Sequence, residues 1–370
     1  MTRPAIPLAP FNERAATFLS IHRGSAVLPF IPNLDIDVTA LEACDAVLPV
    51  TINRGAPGTA WIASPVTTYC DYAIEEMDRL GHRLLTTPLR WTAQAFGCWM
   101  RRAGIDHAVS VNNWLITTNA YPDASQAQIG GIVVAAKRQW RNRAIWFRSL
   151  NGVHNPGWID AMRAAGCMLI PSRQVYLFDD IHALARQRTD LKRDLSLLAR
   201  SALRRYDAGE LDDADYARIA DLYADLYIRK YSAFNPQYQA AFIKAWHRSG
   251  LLTIDAVRDG DGLLQGAVGT VCFGNVITSP IVGYNTQLPL QSGLYRILAA
   301  TVLRQGMEHH CLVNLSAGVA HFKRQRGGQP AIEYSAVVTD HLSRAQRAVL
   351  STLRRIADGI GVPIMQRYQL

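Results

Sequence analysis

The stretch 311–338, CLVNLSAGVAHFKRQRGGQPAIEYSAVV, holds the side chains best suited to chemistry: Asn314, Ser316, Lys323, Arg324, Arg326, Glu333 and Tyr334. Its apolar opening, 311–315, predicts a buried strand. On that strand Asn314 and Ser316 share one face, because strand side chains alternate. Ser316-Ala317-Gly318 ends it, and 320–326 has room for about two turns of helix with Phe322 inward and Lys323, Arg324 and Arg326 clustered. Gly327-Gly328 stops the helix, and 331–338 predicts a second strand carrying Glu333 and Tyr334. A strand that ends in small polar residues and leads into a basic turn can hold an anion above a sheet edge, with Lys323 and Arg326 gripping a phosphate or carboxylate. The same residues also fit a strand–helix–strand crossover whose basic helix is merely solvated. Neighbouring strand residues face opposite ways, so at most one of Glu333 and Tyr334 is expected to line a cleft unless a bulge intervenes.

Several elements must position that stretch. Residues 1–34, broken by Pro4, Pro7 and Pro10, are expected to form an irregular arm. Apolar runs at 46–52 and 60–63, separated by Arg54-Gly55-Ala56-Pro57-Gly58, predict a hairpin. Helices are expected from Tyr69, Asp71 and Tyr72 to Leu80, and over 88–103 with Leu89, Ala93, Phe96 and Met100 inward. Further helices are expected over 125–140 and 156–165, and strands over 108–111, 144–150 and 167–179. Asn112, Asn113, Trp114, Arg148, Ser172 and Arg173 fall at strand ends. Arginines beside apolar runs point either to a buried ion pair or to a ligand. A short internal echo relates Ser149-Leu150-Asn151-Gly152-Val153-His154 to Leu315-Ser316-Ala317-Gly318-Val319-Ala320-His321, each a strand end, turn, helix and returning strand.

After a linking helix over 189–203, the second half is simple to read. Leu211-Asp212-Asp213 opens a helix with Tyr223, Tyr227 and Tyr231 at every fourth position, an aromatic stripe that fits core or site. Asn235-Pro236 opens a second helix to Ser249. Strands follow at 251–257, 264–273 and 276–284, joined at Asp259-Gly260-Asp261-Gly262 and Gly274-Asn275. Ser292 is expected to cap a helix over 293–308, and 344–360 forms a last helix. The order of the second half is β-α-α-β-β-β-α-β-α-β.

Composition sets outer limits. At 370 residues the chain is long enough for two domains or one large double one, and 49% hydrophobic with 19% charged residues fits a folded globular chain rather than a disordered one. The net charge of +9, with Arg far outnumbering Lys, favours an anionic partner such as nucleic acid, phosphate or coenzyme A. The six cysteines, Cys44, Cys70, Cys98, Cys167, Cys272 and Cys311, form no C-x-x-C pair, so neither a zinc site nor a disulfide framework is expected. With no signal-peptide pattern and no apolar run long enough to cross a bilayer, the expected location is the cytoplasm.

The order of the second half resembles the GNAT acyltransferase fold, well over 203–340 and loosely over 35–185. A tandem pair of such units with a helix between them resembles the Fem family of peptidyltransferases. Phe322-Lys323-Arg324-Gln325-Arg326-Gly327-Gly328 is similar to that family's Phe-Lys pair followed by an aromatic-Gly-Gly, with Arg326 where an aromatic is usual. The resemblance implies an α/β mixed-sheet architecture: an arm at 1–34, a first GNAT-like domain at 35–188, a linking helix at 189–203, a second GNAT-like domain at 204–340, and a C-terminal helix and tail at 341–370.

It also implies an acyltransferase that moves an aminoacyl group from aminoacyl-tRNA to the amine of a small natural-product or cell-wall precursor. GNAT enzymes that use acyl-CoA hold its pyrophosphate on a Gln/Arg-x-x-Gly-x-Gly/Ala turn. Here Leu290 and Tyr295 replace the outer residues and only Gly293 remains, so no cofactor is expected. An acyl-CoA or carrier-protein N-acyltransferase is the alternative, and a silent double domain that binds RNA or a metabolite is another. The GNAT geometry implies that Gly283-Tyr284-Asn285 lie beside Asn314 and Ser316, with amides near Tyr284 serving an oxyanion. Glu333 is then the base or amine anchor and Tyr334 the acid. Substrate contacts are expected from Lys323, Arg326, Asn285, Tyr231, Asn113, Arg148 and Arg173. Phosphate contacts to tRNA are expected from Lys137, Arg138, Arg141, Lys192, Arg193, Arg200, Arg344, Arg347, Arg354 and Arg355.

Overall fold

A computed structural model describes residues 6–24, 27–79 and 83–368. Pro4, Leu80 and the side chain of Leu89 lie outside the described residues. The N-terminal segment is not an irregular arm: α1 (Leu8–His22) is a helix that buries Phe11, Ala15, Phe18 and Leu19. Its prolines are compatible with that helix because Pro7 is the N-cap and Pro10 lies in the first turn, where backbone N–H groups have no intrahelical partner.

The first hairpin also differs from expectation. Strand β1 (Ile36–Ala43) pairs antiparallel with β2 (Ala46–Asn53) across the two-residue loop Cys44-Asp45. Both loop residues have positive φ, 52° and 64°, the left-handed geometry of a tight hairpin that needs no glycine. Residues 60–63 are a turn, not the partner strand. A π-helical turn (Thr67–Asp71) leads into α2 (Tyr72–Arg79) and α3 (Arg83–Arg102). The half then runs through β3 (Val109–Val111), α4 (Gln126–Gln139), β4 (Ile145–Asn151), α5 (Pro156–Ala164) and β5 (Met168–Phe178). Ser125 and Gln128 form a reciprocal capping box on α4.

Two short helices, α6 (Ile181–Gln187) and α7 (Thr189–Ala199), bridge the halves, the second ending four residues before the expected 203, and an edge strand, β6 (Arg204–Tyr206), follows. The second half continues with α8 (Asp213–Ala224), α9 (Ala240–Arg248), β7 (Thr253–Arg258), β8 (Leu264–Phe273), β9 (Val276–Tyr284), α10 (Leu294–Glu308), β10 (Leu312–Asn314), α11 (Ala320–Gln325) and β11 (Gln329–Val338). Helices α12 (Arg344–Ile356) and α13 (Val362–Tyr368) end the chain. Helix α9 starts later than Asn235-Pro236 suggests. The cap of α10 is Gly293 at φ 67° with no side-chain bond, not Ser292.

Among the described residues eleven strands form one mixed sheet in the order β1-β2-β3-β4-β11-β5-β10-β9-β8-β7-β6. Each half contains a parallel pair linked by a helix, β3-α4-β4 and β9-α10-β10. In each half a helix and a last strand follow, the two stretches joined by the internal echo. Those last strands are exchanged: β5 pairs with β10 of the second half, and β11 with β4 of the first. Strands β5 and β11 also pair antiparallel with each other at the centre. The halves are therefore interlocked through the middle of the sheet.

Candidate active site

The central strands carry two irregularities at the same level. Between β11 and β5 the register moves from Glu333↔Arg173 to Tyr334↔Pro171, leaving Ser172 extra. Between β11 and β4 it moves from Tyr334↔Leu150 to Ala336↔Phe147, leaving an extra residue beside Ser149, whose φ is 66°. Bulges of this kind re-aim side chains. Here the Ser172 bulge turns Arg173 of β5 to the side of β11 that Glu333 occupies, a side that Arg148 of β4 shares with Trp146 by ordinary alternation. Alternation on β11 itself is kept, so Tyr334 packs on the opposite face against the main core. Of the expected acid–base pair, the structure brings only Glu333 to the cluster.

Glu333 is 1% exposed and its Oε2 accepts from Arg173 Nε at 2.6 Å. The rest of the Arg173 fork donates to Ser316 Oγ (2.9 Å), the Thr117 carbonyl (2.6 Å) and Thr118 Oγ1 (3.2 Å). Arg148 is 9% exposed, and Asn113 Oδ1 accepts from its Nη1 at 3.2 Å. Both guanidinium carbons lie near the Trp61 ring, at 5.1 Å for Arg148 and 4.9 Å for Arg173. Trp61 is anchored from the second half by a bond from its Nε1 to Asn235 Oδ1 at 3.0 Å. Desolvation, and then the charge of Arg173, push the Arg148 guanidinium down to about 10. Among the described residues Glu333 Oε1 and Ser149 Oγ are buried without a hydrogen-bond partner, whereas the Tyr69 hydroxyl lies against Ser335.

The neighbouring turn is tightly held. Ser316, at φ 61°, donates its N–H to Asn314 Oδ1 (2.8 Å), so the strand alternation that would pair these two residues on one face ends there. Asn314 is fully buried, and its Nδ2 has no partner among the described residues. Lys323 is neither solvated nor aimed outward: its ammonium donates to the carbonyls of Leu315 (2.6 Å), Ala317 (2.9 Å) and Ser316 (3.2 Å). Desolvation, then Arg173, push it down to about 7. Arg326 is buried as well, with Nε on Asp194 Oδ2 at 2.5 Å and Nη1 on the Phe322 carbonyl at 2.9 Å. Arg296 Nε binds the other Asp194 oxygen at 2.6 Å, so α7 is clamped to α10 and α11. In this structure Lys323 and Arg326 hold the turn and the helix.

Strands β9 and β10 pair only over Val276–Thr278 and Leu312–Asn314, after which β9 runs on to Tyr284 paired with β8 but no longer with β10. The opening is walled by aromatic rings. Tyr295 lies 4.8 Å from Phe322 and 6.0 Å from Tyr284 between ring centroids, and Tyr227 lies 6.3 Å from Tyr231. Burial pushes the Tyr295 hydroxyl far above its ordinary value, with Tyr227, Tyr231 and Tyr284 adding to the rise. At the entrance to α10, a Cβ on Gly293 would lie 2.7 Å from Leu197 of α7. Asn285 gives its backbone N–H to the Gln265 carbonyl and its Nδ2 to Gln265 Oε1, both at 2.8 Å.

The basic residues proposed for tRNA are not gathered. Helix α4 packs into the core that contains Ile145 and Phe147, whereas α12 packs on Trp146, on the other side of β4. Lys137, Arg138 and Arg141 therefore lie across the sheet from Arg344, Arg347, Arg354 and Arg355. Lys137 pairs with Asp340 at 2.6 Å, and Lys192, Arg193 and Arg200 form a third exposed group on and after α7. Sequence reasoning missed Trp61, Thr117, Thr118, Tyr69, Asn235 and Asp194. Only Asp194 carried a signal, as an acid on the apolar stripe of Leu191 and Leu198.

A meander feeding a parallel, helix-linked strand pair that splays, with a second such pair in the first half, is a tandem GNAT-like, Fem-like architecture. No protein-family model matches the sequence, and no curated protein matches it. Solved structures do match. The C-terminal DUF2156 domain of a proposed lysylphosphatidylglycerol synthetase from Agrobacterium fabrum is 12% identical, with 94% of this chain and 96% of that one covered and a TM-score of 0.53. L-PGS from Bacillus licheniformis is 10% identical over 95% of this chain and 99% of that one, TM-score 0.50. FemX is 8% identical over 88% and 96%, TM-score 0.49. At identities this low the first two describe shared fold alone. Among the described residues no helix is long and apolar enough to cross a membrane.

Proposed function

We propose that the protein is a transferase that moves an aminoacyl group from aminoacyl-tRNA to the amine of a small acceptor, forming an amide. The observation that carries the donor assignment is the filling of the α10 entrance. Tyr295 packs between Tyr284 and Phe322, and Leu197 covers Gly293, where a nucleotide pyrophosphate would need small residues and open amides. Glu333 supplies the base: its free Oε1 accepts the amine proton as nitrogen attacks the ester carbonyl. The C–N bond then forms, the C–O bond to the tRNA ribose breaks, and the departing oxygen takes a proton back from the Glu333 carboxyl. Arg173 fixes the carboxylate through Oε2 and reaches the Ser316 turn with the same fork.

Incubation with charged total tRNA and a panel of amines, read by mass spectrometry, tests this. An amide product is expected, with turnover falling on the order of 10²- to 10⁴-fold in Glu333→Gln. Coenzyme A protecting the chain against thermal unfolding, together with turnover of an acyl-CoA, would establish the alternative donor. A second reading draws on the lipid in the name of the Agrobacterium neighbour and on Trp91 and Trp99, which are 72% and 42% exposed on α3 beside the basic α12. It predicts transfer to a lipid headgroup and co-sedimentation with anionic vesicles.

A further inference from the structure

We infer that Arg148, Arg173 and Glu333 form a binding site for a small amino carboxylate whose amine is bound uncharged. As a statement about the acceptor this rests on the transferase reading; as a binding site it stands by itself.

Two guanidinium groups and one carboxylate leave one net positive charge where Arg148 and Glu333 are buried and the Arg173 side chain is 16% exposed, and charge of one sign drawn out of water needs a counterion. The pairing is uneven. Arg173 spends its donors on Glu333, Ser316, Thr117 and Thr118, whereas among the described residues the bonded acceptor of the Arg148 guanidinium is Asn113 Oδ1. The Arg148 fork thus has donors to spare for a carboxylate, the partner its planar geometry suits best. Glu333 Oε1, buried and unbonded, asks for an N–H or O–H donor. Ser149 Oγ adds a further buried polar atom without a partner among the described residues. Trp61, beside both guanidinium groups, supplies an apolar wall for the ligand's carbon atoms.

Charge then decides the form of the amine. A carboxylate with a neutral amine cancels the surplus, whereas a zwitterion leaves it in place. The groups facing this point are Arg148 on β4, Arg173 on β5, Glu333 on β11, Tyr69 in the π-helical turn, Tyr121 after β3, Tyr238 before α9 and, through Arg173, Lys323 on α11. The cationic members outnumber the single carboxylate, so a bound amine gives up its proton more readily than in water. A neutral amine is also the nucleophile that amide formation requires, with Glu333 Oε1 in place to take the next proton.

Titration calorimetry on the full chain tests the site without any donor. The probes are the proteinogenic amino acids and, for each binder, the matched amine without its carboxyl group and the matched acid without its amine. The expected result is a binder with both groups held at least about tenfold more tightly than either fragment. Binding at neutral pH should release a proton to the buffer, and affinity should rise about tenfold per pH unit below the amine's own pKa. Arg148→Lys should weaken binding by about tenfold or more with the melting profile retained. Failure of every amino acid to bind overturns the proposal, as does equal affinity for the carboxyl-free amine or binding without proton release. Transfer to carboxyl-free amines alone, with no amino acid bound, sinks this site and keeps the transferase. Amino acid binding with no turnover from any donor does the reverse.

Discussion

Replacing Arg148 by Met should leave the fold as stable as before, or more so, while abolishing carboxylate binding. Arg148 is 9% exposed, and its guanidinium is pushed from 12.5 to about 10 by desolvation and by Arg173. The sign is clear. The folded state disfavours the charged form, so the penalty is present in full at all pH values below about 10 and fades only as the group loses its proton. At about 1.4 kcal/mol per pKa unit, holding Arg148 charged in the fold costs on the order of 3 kcal/mol at neutral pH. Methionine has a similar length and no charge. It forfeits the Asn113 bond, worth about 1 kcal/mol, and the contact with Trp61, worth about another. Asn113 Oδ1 is not orphaned, because the Leu115 N–H still reaches it at 3.3 Å.

The balance is a change between zero and about 2 kcal/mol in favour of the variant. Urea unfolding at neutral pH, followed by circular dichroism and intrinsic fluorescence, measures it from the midpoint at constant slope. A loss of more than about 1 kcal/mol would refute the reasoning, because Arg148 would then be a structural cation whose partner is already in place. A gain in stability with loss of ligand binding is the pattern expected where a charge is retained for function.

Two further outcomes concern the scaffold. Asp194→Ala should destabilise by about 3–5 kcal/mol, since it strands the buried Arg326 guanidinium, whereas Arg296→Ala, at a side chain 42% exposed, should cost about 1 kcal/mol or less; similar losses in urea melts would contradict the clamp. Lys323, held down to about 7 against 10.5 in the unfolded chain, binds fewer protons folded than unfolded, so stability should rise with pH between about 7 and 10; the Lys323→Met variant should lack that slope, so that its deficit relative to the natural chain widens by up to about 1.4 kcal/mol per pH unit.

The second half was legible because its turns announce themselves. Gly262 and Gly274 take positive φ in the two hairpins, and the alternating runs between them leave little freedom of register. The first half was less so. Its tight turn is made by Cys44 and Asp45 rather than glycine, and its first helix begins among prolines that usually signal a break. For the candidate site, residue types such as Asn113, Arg148, Arg173 and Glu333 stood out in the sequence, but their partnerships did not. The pairing of Arg173 with Glu333 depends on a bulge that shifts parity in β5, and a bulged serine looks like an ordinary strand residue. Lys323 and Arg326 were expected in contact with ligand or solvent. Their burial follows from carbonyls at a turn and from an aspartate on a distant helix, neither of which short-range pattern reports.

The exchange of last strands explains why the cluster could not be built from one half. Arg148 and Arg173 belong to the first half and would be two cations, one buried and one partly buried, without an acid between them. Their counter-charge, Glu333, arrives only when β11 inserts between β4 and β5. That insertion is in turn fixed by the charge, because a slip of β11 by one residue would turn Glu333 to the opposite face and bring Tyr334 against two guanidinium groups. Electrostatics thus selects the register that hydrophobic alternation alone leaves open on a strand buried from both sides. The same selection leaves one guanidinium in excess. The charge that sets the pairing of the two halves is then also the charge that a ligand must balance.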